Sequence, residues 1–167
     1  MEARLSENLI TTQAEDFVVR IAAEVHRRGV HTLRIHVSGD FYDADYVDSW
    51  AAIARRCPRT TFYAYTRSWR IPRIAQALDE LARLSNVQLW YSCDAEAGLP
   101  TDIPPGIRVA YLQTKRDEQP TGDLVFRVRS LRGQSIPRLL LSVVCPTEVA
   151  VPRKADVTCT SCRLCHR

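Results

Sequence analysis

Apolar residues recur at two alternating spacings along the first two-thirds of the chain. Positions three or four residues apart predict amphipathic helices between Thr12 and Gly29, between Asp43 and Pro58, and over about 72–84. Short apolar runs predict strands at 31–37, 60–66, 87–92 and 107–112. Strands that alternate with helices pair in parallel through right-handed crossovers. The pattern therefore predicts an α/β fold, either a partial (β/α) barrel or an open, mostly parallel sheet.

The ends of the first two helices are predicted from capping signals. Thr12 and Glu15 have the T-x-x-E spacing of a capping box, and Asp43 is a typical N-cap residue. Gly29 and Pro58 are residue types that end helices.

The pattern changes after residue 113. Apolar stretches at 123–130 and 138–145 predict two additional strands, and neither is followed by a long helix. Residues 146–167 have little apolar content and predict a coil that needs something bound to it to become ordered. We expect one domain over 1–167, with β/α repeats over 1–113, additional strands over 114–145 and a tail over 146–167.

The composition is that of a globular protein, with 46% hydrophobic and 25% charged residues. No apolar stretch is long enough to span a bilayer, and the N-terminal segment is acidic where a signal peptide is basic. We therefore expect a cytoplasmic protein without a membrane partner. Six cysteines in a reducing compartment favour metal binding or buried thiols over disulfides.

The tail carries the strongest chemical signal. Cys159, Cys162 and Cys165 form a C-x2-C-x2-C run. A fourth cysteine, Cys145, lies upstream, and thirteen residues, beginning with Pro146, separate it from Cys159. Bacterial ferredoxins hold a cubane cluster with such a run and a remote Cys-Pro. The spacing therefore predicts that these four cysteines bind a [4Fe–4S] cluster and that 146–167 is a metal-binding tail.

A single zinc ion is the alternative, although zinc sites more often pair two separated C-x2-C knuckles. His166 lies next to Cys165, and adjacent side chains rarely reach one ion, so we do not expect His166 to be a ligand.

Polar residues follow the first three predicted strands at corresponding positions. The carboxyl ends of parallel strands form one rim, where ligands bind. The sequence therefore predicts a small-molecule or nucleic-acid site at the rim, formed by His36, Ser38, Asp40, Arg67, Trp69, Arg70, Ser92, Asp94 and Glu96. The arginines can grip a carboxylate or phosphate, and the acids can bind an amine or a ribose.

Structural roles compete with this interpretation. Asp40 can cap a turn, Arg67 can pair with Asp94 across the rim, and His36 is as well explained by a hydrogen bond in the core. A partial barrel also has an open edge, which a second chain or the tail must cover. The sequence alone does not decide whether a second chain or the tail covers this edge, and it indicates no reaction for the rim.

The basic residues concentrate in the last third of the chain. Residues 1–107 carry 12 Lys and Arg against 14 Asp and Glu, whereas residues 108–167 carry 11 against 5. A zinc-stabilised module that binds nucleic acid is therefore the second functional hypothesis. Its phosphate contacts would come from Arg127, Arg129, Arg132, Arg138, Arg153, Lys154 and Arg163.

Four stretches of the chain resemble the phage and actinobacterial gene product 88 family. They are LRIHVSGDFYDADYVDSWAAIARRCP, TFYAYTRSWR, VQLWYSCDAEAGLP and the closing CP…CTSCRLC, and the resemblance runs from about residue 8 to 167. The order of elements is also similar to that of phage proteins related to radical S-adenosylmethionine enzymes, which are partial (β/α) barrels.

The resemblance implies a cysteine-rich segment before the first helix, where such enzymes hold their catalytic cluster. This sequence has no cysteine before Cys57. We therefore expect a shortened member or a start assigned too late, and no S-adenosylmethionine cleavage by these residues alone. The four C-terminal cysteines would then correspond to an auxiliary cluster.

Overall fold

The computed structural model describes residues 2–132, 134–136, 144–146 and 159–166. Its helices are α1 (Glu2–Thr12), α2 (Phe17–Arg28), α3 (Ala44–Arg56), α4 (Pro72–Ala82) and the short α5 (Cys159–Cys162). Its strands are β1 (Thr32–Arg34), β2 (Thr61–Thr66), β3 (Val87–Cys93), β4 (Ile107–Gln113) and β5 (Leu124–Arg127). Short 3-10 turns lie at Ser68–Arg70, Arg129–Leu131 and Leu164–His166. Within these ranges, no helix is long and apolar enough to cross a membrane.

The five strands form one parallel sheet in the order β1-β2-β3-β4-β5. A sheet whose neighbours follow chain order is the arrangement of a (β/α) barrel. Here the sheet curls into half a barrel, which confirms the predicted partial barrel.

The helices cover one side of the sheet, which we call the outer face. Fully buried residues of α3 and α4, such as Ile53 and Leu78, pack there against Phe62 of β2 and Leu89 of β3. Burying side chains of this size stabilises the fold by about 1.5–3 kcal/mol each. The outer face is therefore the main core.

The opposite side, which we call the inner face, has its own aromatic cluster. It is lined by Tyr63, Tyr65, Trp90, Ala110, Leu124 and Phe126. The Tyr65 ring stacks on Trp90 at 5.9 Å and meets Phe126 edge-on at 5.3 Å. Both faces of the central strands are thus apolar, as in buried parallel sheets.

Two of the predicted helix ends are confirmed. Asp43 accepts a hydrogen bond from the Asp45 backbone N–H at 2.9 Å and caps α3. Gly29 ends α2 in the left-handed conformation, with φ +60°, which glycine adopts without steric cost. At Pro58 the helix has already ended, with Cys57 as its C-cap.

The predicted capping box at Thr12 and Glu15 is wrong. Thr12 is the last residue of α1, a helix that the apolar pattern did not predict, and α2 begins only at Phe17. The Thr12 hydroxyl donates to the Leu9 carbonyl at 2.7 Å or shares a hydrogen bond with the Tyr42 hydroxyl at 2.8 Å. Thr12 therefore fastens α1 to the segment after β1 instead of starting α2.

The additional strands are only partly described. β5 covers half of the predicted 123–130 strand and ends in a 3-10 turn. Of the predicted 138–145 strand, Val144 forms a parallel bridge with Val125, and residues 138–143 lie outside the described part. The sheet therefore extends at least to a bridge beyond β5.

The Asn86 side chain joins the end of α3 to the start of β2. Its amide donates to three backbone carbonyls, those of Ala54, Cys57 and Thr60, at 3.0, 3.2 and 3.1 Å. Backbone N–H groups also donate to the Ala54 and Cys57 carbonyls, so the Asn86 amide adds a second donor there and joins them to Thr60.

We expect Asn86→Ala to lower the free energy of unfolding by about 1–2 kcal/mol, because three part-buried carbonyls would lose their side-chain donor, although those of Ala54 and Cys57 keep a backbone donor. Urea denaturation followed by circular dichroism measures this. Gln76→Ala, on the exposed surface of α4, is the matched control and should change stability by less than about 0.5 kcal/mol. Equal stability of the two variants would contradict the structural role of Asn86.

Candidate functional site

Asp40 ties the segment after β1 to the end of β2. Its Oδ1 accepts hydrogen bonds from the Thr66 hydroxyl at 2.6 Å and the Phe41 backbone N–H at 2.8 Å. Its Oδ2 accepts one from the Arg67 backbone N–H at 2.7 Å. The carboxylate is therefore engaged in holding two strand ends together, which is the structural role that competed with ligand binding.

Arg67 and Asp94 form an ion pair from the end of β2 to the end of β3. Asp94 also accepts hydrogen bonds from the backbone N–H groups of Ala97 at 2.7 Å and Glu96 at 3.1 Å. The backbone donors and the Arg67 guanidinium hold the pKa of Asp94 below its ordinary value. Of Glu96 only the backbone takes part in this pairing; its side chain is exposed.

Trp69 and Arg70 line a cavity of about 500 Å³ between α4 and the loop after β3. The Trp69 indole N–H donates to the Ser92 carbonyl at 3.1 Å, so Ser92 contributes its backbone. Asp79 and Tyr91 line the same cavity. Burial raises the pKa of both groups, that of Tyr91 to about 12 with Asp79 adding to the effect.

His36 and Ser38 line a different cavity, of about 430 Å³, on the other side of Asp40. We call it the β1 cavity. The His36 ring hydrogen-bonds the Tyr46 hydroxyl at 3.1 Å and packs edge-on against Phe41 at 4.7 Å. Burial lowers the pKa of His36, because desolvation disfavours the imidazolium.

Three of the predicted rim residues form one chain of contacts, and others line the cavities described above; ligand binding by them stays a prediction. The chain of contacts brings Asp40, Arg67 and Asp94 together, and it separates His36 and Ser38 from Trp69 and Arg70.

The described part of the cysteine tail lies on the inner face. The Trp90 indole N–H donates to the Cys165 carbonyl at 2.8 Å, and Cys165 packs against the cluster of Trp90, Ala110 and Leu124. The His166 ring lies 5.6 Å from that of Tyr63. The tail therefore covers apolar surface that half a barrel leaves open.

Cys145 lies beside β5. Its backbone N–H donates to the Val125 carbonyl at 2.9 Å, directly after the Val144 bridge. Among the described residues, no three His, Cys, Asp or Glu side chains are gathered closely enough to hold a metal ion. The side chain of Cys159 lies outside the described part, so the predicted four-cysteine set is represented by three members.

The basic residues predicted to contact phosphate differ in their exposure to solvent. Arg127 is wrong as such a contact, because it is only 3% exposed and bonds Gln113 Oε1 at 3.2 Å and the Gln134 carbonyl at 3.0 Å. Arg129, Arg132 and Arg163 are exposed. Arg138, Arg153 and Lys154 lie outside the described residues.

A model of the family described as Gene product 88 matches residues 1–167. The chain belongs to the gene product 88 family. Curated relatives include the Gene 88 protein of Mycobacterium phage L5, which is 32% identical over 108 residues, 62% of this chain and 43% of the phage protein. The Gene 88 protein of Mycobacterium phage D29 is 34% identical over 86 residues, 48% of this chain and 33% of its own length.

The chain therefore spans less than half the length of these gene product 88 relatives. No solved structure matches it.

Sequence reasoning missed several residues that shape the sites of this gene product 88 chain. Tyr46 and Trp50 lie in the amphipathic helix predicted between Asp43 and Pro58, which gives them no role in a site, yet both line the β1 cavity. Thr66 was assigned to a strand without a role, and Tyr42 was not singled out. Their aromatic and hydroxyl groups offered no spacing motif that could have marked them.

We expect Asp94→Asn to cost about 1 kcal/mol of stability at pH 7, because Arg67 loses its partner and is itself half-exposed. Since folding lowers the pKa of Asp94, the pair stabilises the protein above the ordinary pKa of 3.8, and the stabilisation is lost as pH falls through the folded value. The stability difference between wild type and variant should therefore vanish in strong acid.

Urea unfolding at a series of pH values from 7 downward measures that difference. Asp48→Asn, at an exposed position of α3, is the control and should show no such pH dependence. A gap between wild type and Asp94→Asn that persists undiminished into strong acid would contradict the pairing.

We expect Trp90→Phe to loosen the tail, because phenylalanine keeps the ring packing but cannot donate to the Cys165 carbonyl. Losing one such hydrogen bond should raise the alkylation rate of Cys165 about fivefold in chelator-treated protein. Iodoacetamide labelling read by peptide mass spectrometry gives the rate. Trp69→Phe removes an indole that bonds Ser92 instead and should leave the rate unchanged; equal rates in both variants would refute the docking.

Proposed function

We propose that this gene product 88 chain binds one [4Fe–4S] cluster through Cys145, Cys159, Cys162 and Cys165, at the inner face of the half-barrel. The observation that carries the proposal is the docking of the tail by Trp90, which puts Cys165 against the inner-face cluster. Thiolates in the C-x2-C-x2-C spacing are the donor set that iron–sulfur clusters use.

The direction of Cys145 supports the same location. Val144 packs with Val109, Tyr111 and Val125 in a cluster on the outer side of the sheet. Because side chains alternate along a strand, we expect the next residue, Cys145, to project towards the inner face. The remote cysteine would then share a face with Cys165.

The backbone of the tail also supports a ligand role. Cys162 ends α5, Arg163 follows in the left-handed conformation with φ +59°, and Cys165 lies in the next 3-10 turn. A non-glycine residue in this conformation is costly and concentrates at functional sites. It reverses the chain between two cysteines, as wrapping around one centre requires.

A bound cluster would supply electron transfer or a structural cross-link, and we assign no reaction to it. The chain's own contribution is to fix the tail through Trp90 and to surround the cysteines with the aromatic rings of the inner face. Such an apolar shell limits solvent access to a metal centre. The metal would also contribute the free energy that orders a tail with little apolar content.

A zinc-stabilised module that binds nucleic acid is the second candidate. It is favoured by the exposed arginines of the basic last third, Arg129, Arg132 and Arg163. Exposed arginines of this kind can contact phosphates without regard to base sequence. The identity of the metal distinguishes the two candidates.

Protein purified without oxygen should be brown and contain about four irons per chain, as measured by metal analysis and visible absorption. The double variant Cys159→Ser/Cys162→Ser should lose the metal and melt at a lower temperature. Cys57→Ala is the control, since it removes a thiol buried at the end of α3, and it should keep full metal content.

Colourless protein with about one zinc would select the second candidate. Full metal content and an unchanged melting temperature in the double variant would refute metal binding by the tail altogether.

A further inference from the structure

The Tyr65 side chain joins the aromatic cluster of the inner face to the cysteine tail. Its ring stacks on Trp90 at 5.9 Å and meets Phe126 edge-on at 5.3 Å. Cys165 packs against the same cluster, and the Trp90 indole N–H holds the Cys165 carbonyl at 2.8 Å. The Tyr65 ring and the Cys165 side chain are therefore neighbours in one apolar layer.

The Tyr65 hydroxyl is a buried polar group in that layer. Its oxygen has no nitrogen or oxygen partner within the part of the chain that the structure describes. Buried polar groups in native proteins nearly always have a partner, so this one needs an explanation. The side chain that acts on the hydroxyl is Cys165: burial raises the pKa of Tyr65 above its ordinary value, and a hydrogen bond with Cys165 raises it further.

The protonation of the two groups decides which of them donates. A tyrosine hydroxyl, with its ordinary pKa near 10, carries its proton at neutral pH and can donate it. A neutral thiol is a weak acceptor, whereas a thiolate accepts strong, charge-assisted hydrogen bonds. Cysteine binds metal as the thiolate. The buried hydroxyl is therefore placed to serve a sulfur that carries negative charge.

Arg34 makes the Tyr65 hydroxyl a better donor. Its guanidinium carbon lies 5.2 Å from the centroid of the Tyr65 ring, on the inner face. The positive charge acts against burial and lowers the pKa of Tyr65. A more acidic hydroxyl forms a stronger hydrogen bond with an anionic acceptor.

We propose that the Tyr65 hydroxyl donates a hydrogen bond to the Cys165 thiolate in the metal-bound protein and thereby raises the reduction potential of the cluster. The inference rests on the proposed metal site, in which Cys165 is a ligand and Tyr65 is a positioning residue. Hydrogen bonds to the sulfurs set the potentials of iron–sulfur clusters. They raise the potential because the reduced cluster carries the larger negative charge and gains more from a donor.

A redox titration of the iron-loaded full chain, followed by visible absorption, tests the proposal. Tyr65→Phe keeps the ring packing and removes the donor. At a fixed potential, the ratio of reduced to oxidised cluster should fall about fivefold, which for one electron lowers the midpoint potential by about 40 mV. The control is Tyr91→Phe, which removes a buried hydroxyl that interacts with Asp79 on the outer face and should leave the potential unchanged.

If the bound metal is zinc, the same donor is tested by competition with a chelator. Tyr65→Phe should then bind zinc about fivefold more weakly than wild type, and Tyr91→Phe should bind it equally well. Both variants should keep the circular dichroism spectrum of wild type.

The inference is overturned if Tyr65→Phe has the potential, or for zinc the affinity, of wild type. It is also overturned if Tyr91→Phe shifts that quantity as far as Tyr65→Phe does. Wild-type protein that holds neither iron nor zinc would refute the proposed function and this inference together, before any variant is compared.

Discussion

The five described strands curl into half a barrel, and the helices on the outer face leave the apolar side chains of the concave inner face to other partners. In a complete barrel that space is filled by side chains from the opposite strands. Here Trp90 and its neighbours meet the tail instead, through one indole hydrogen bond to the Cys165 carbonyl and the packing of Cys165 itself. The position of Cys165 and the burial of the inner face therefore depend on the same contact.

The alternation of helices and strands could be read from the sequence because each parallel strand is a short apolar run and each helix has one apolar stripe. The two faces of the sheet could not be told apart, because β3 is apolar on both sides, with Leu89 facing the helices and Trp90 facing the tail. The helix α1 was missed because it has few apolar positions, and Thr12, its last residue, fits the capping signal of a following helix. Local signals predicted elements; long-range contacts decided the boundaries.

The rim illustrates a different limit. Its membership followed from topology, since carboxyl ends of parallel strands meet at one edge. The chemical role of these residues could not be predicted in the same way. Whether a carboxylate binds a ligand or a neighbouring loop depends on interatomic distances that no sequence pattern encodes. The Asp40 and Asp94 carboxylates accept hydrogen bonds from backbone N–H groups, and Asp94 also pairs with Arg67. These contacts lie between the two cavities.

The position of the tail bears on what a metal there could do. Ligands of (β/α) barrels react at the carboxyl ends of the strands, yet the tail touches Tyr63 and Trp90, which are the third residue of β2 and the fourth of β3. The described part of the tail therefore lies below the rim, within the layer that side chains fill in a closed barrel. The proposed cluster, if held there, would act first as a replacement for missing core, and it would resemble an auxiliary centre more than a catalytic one.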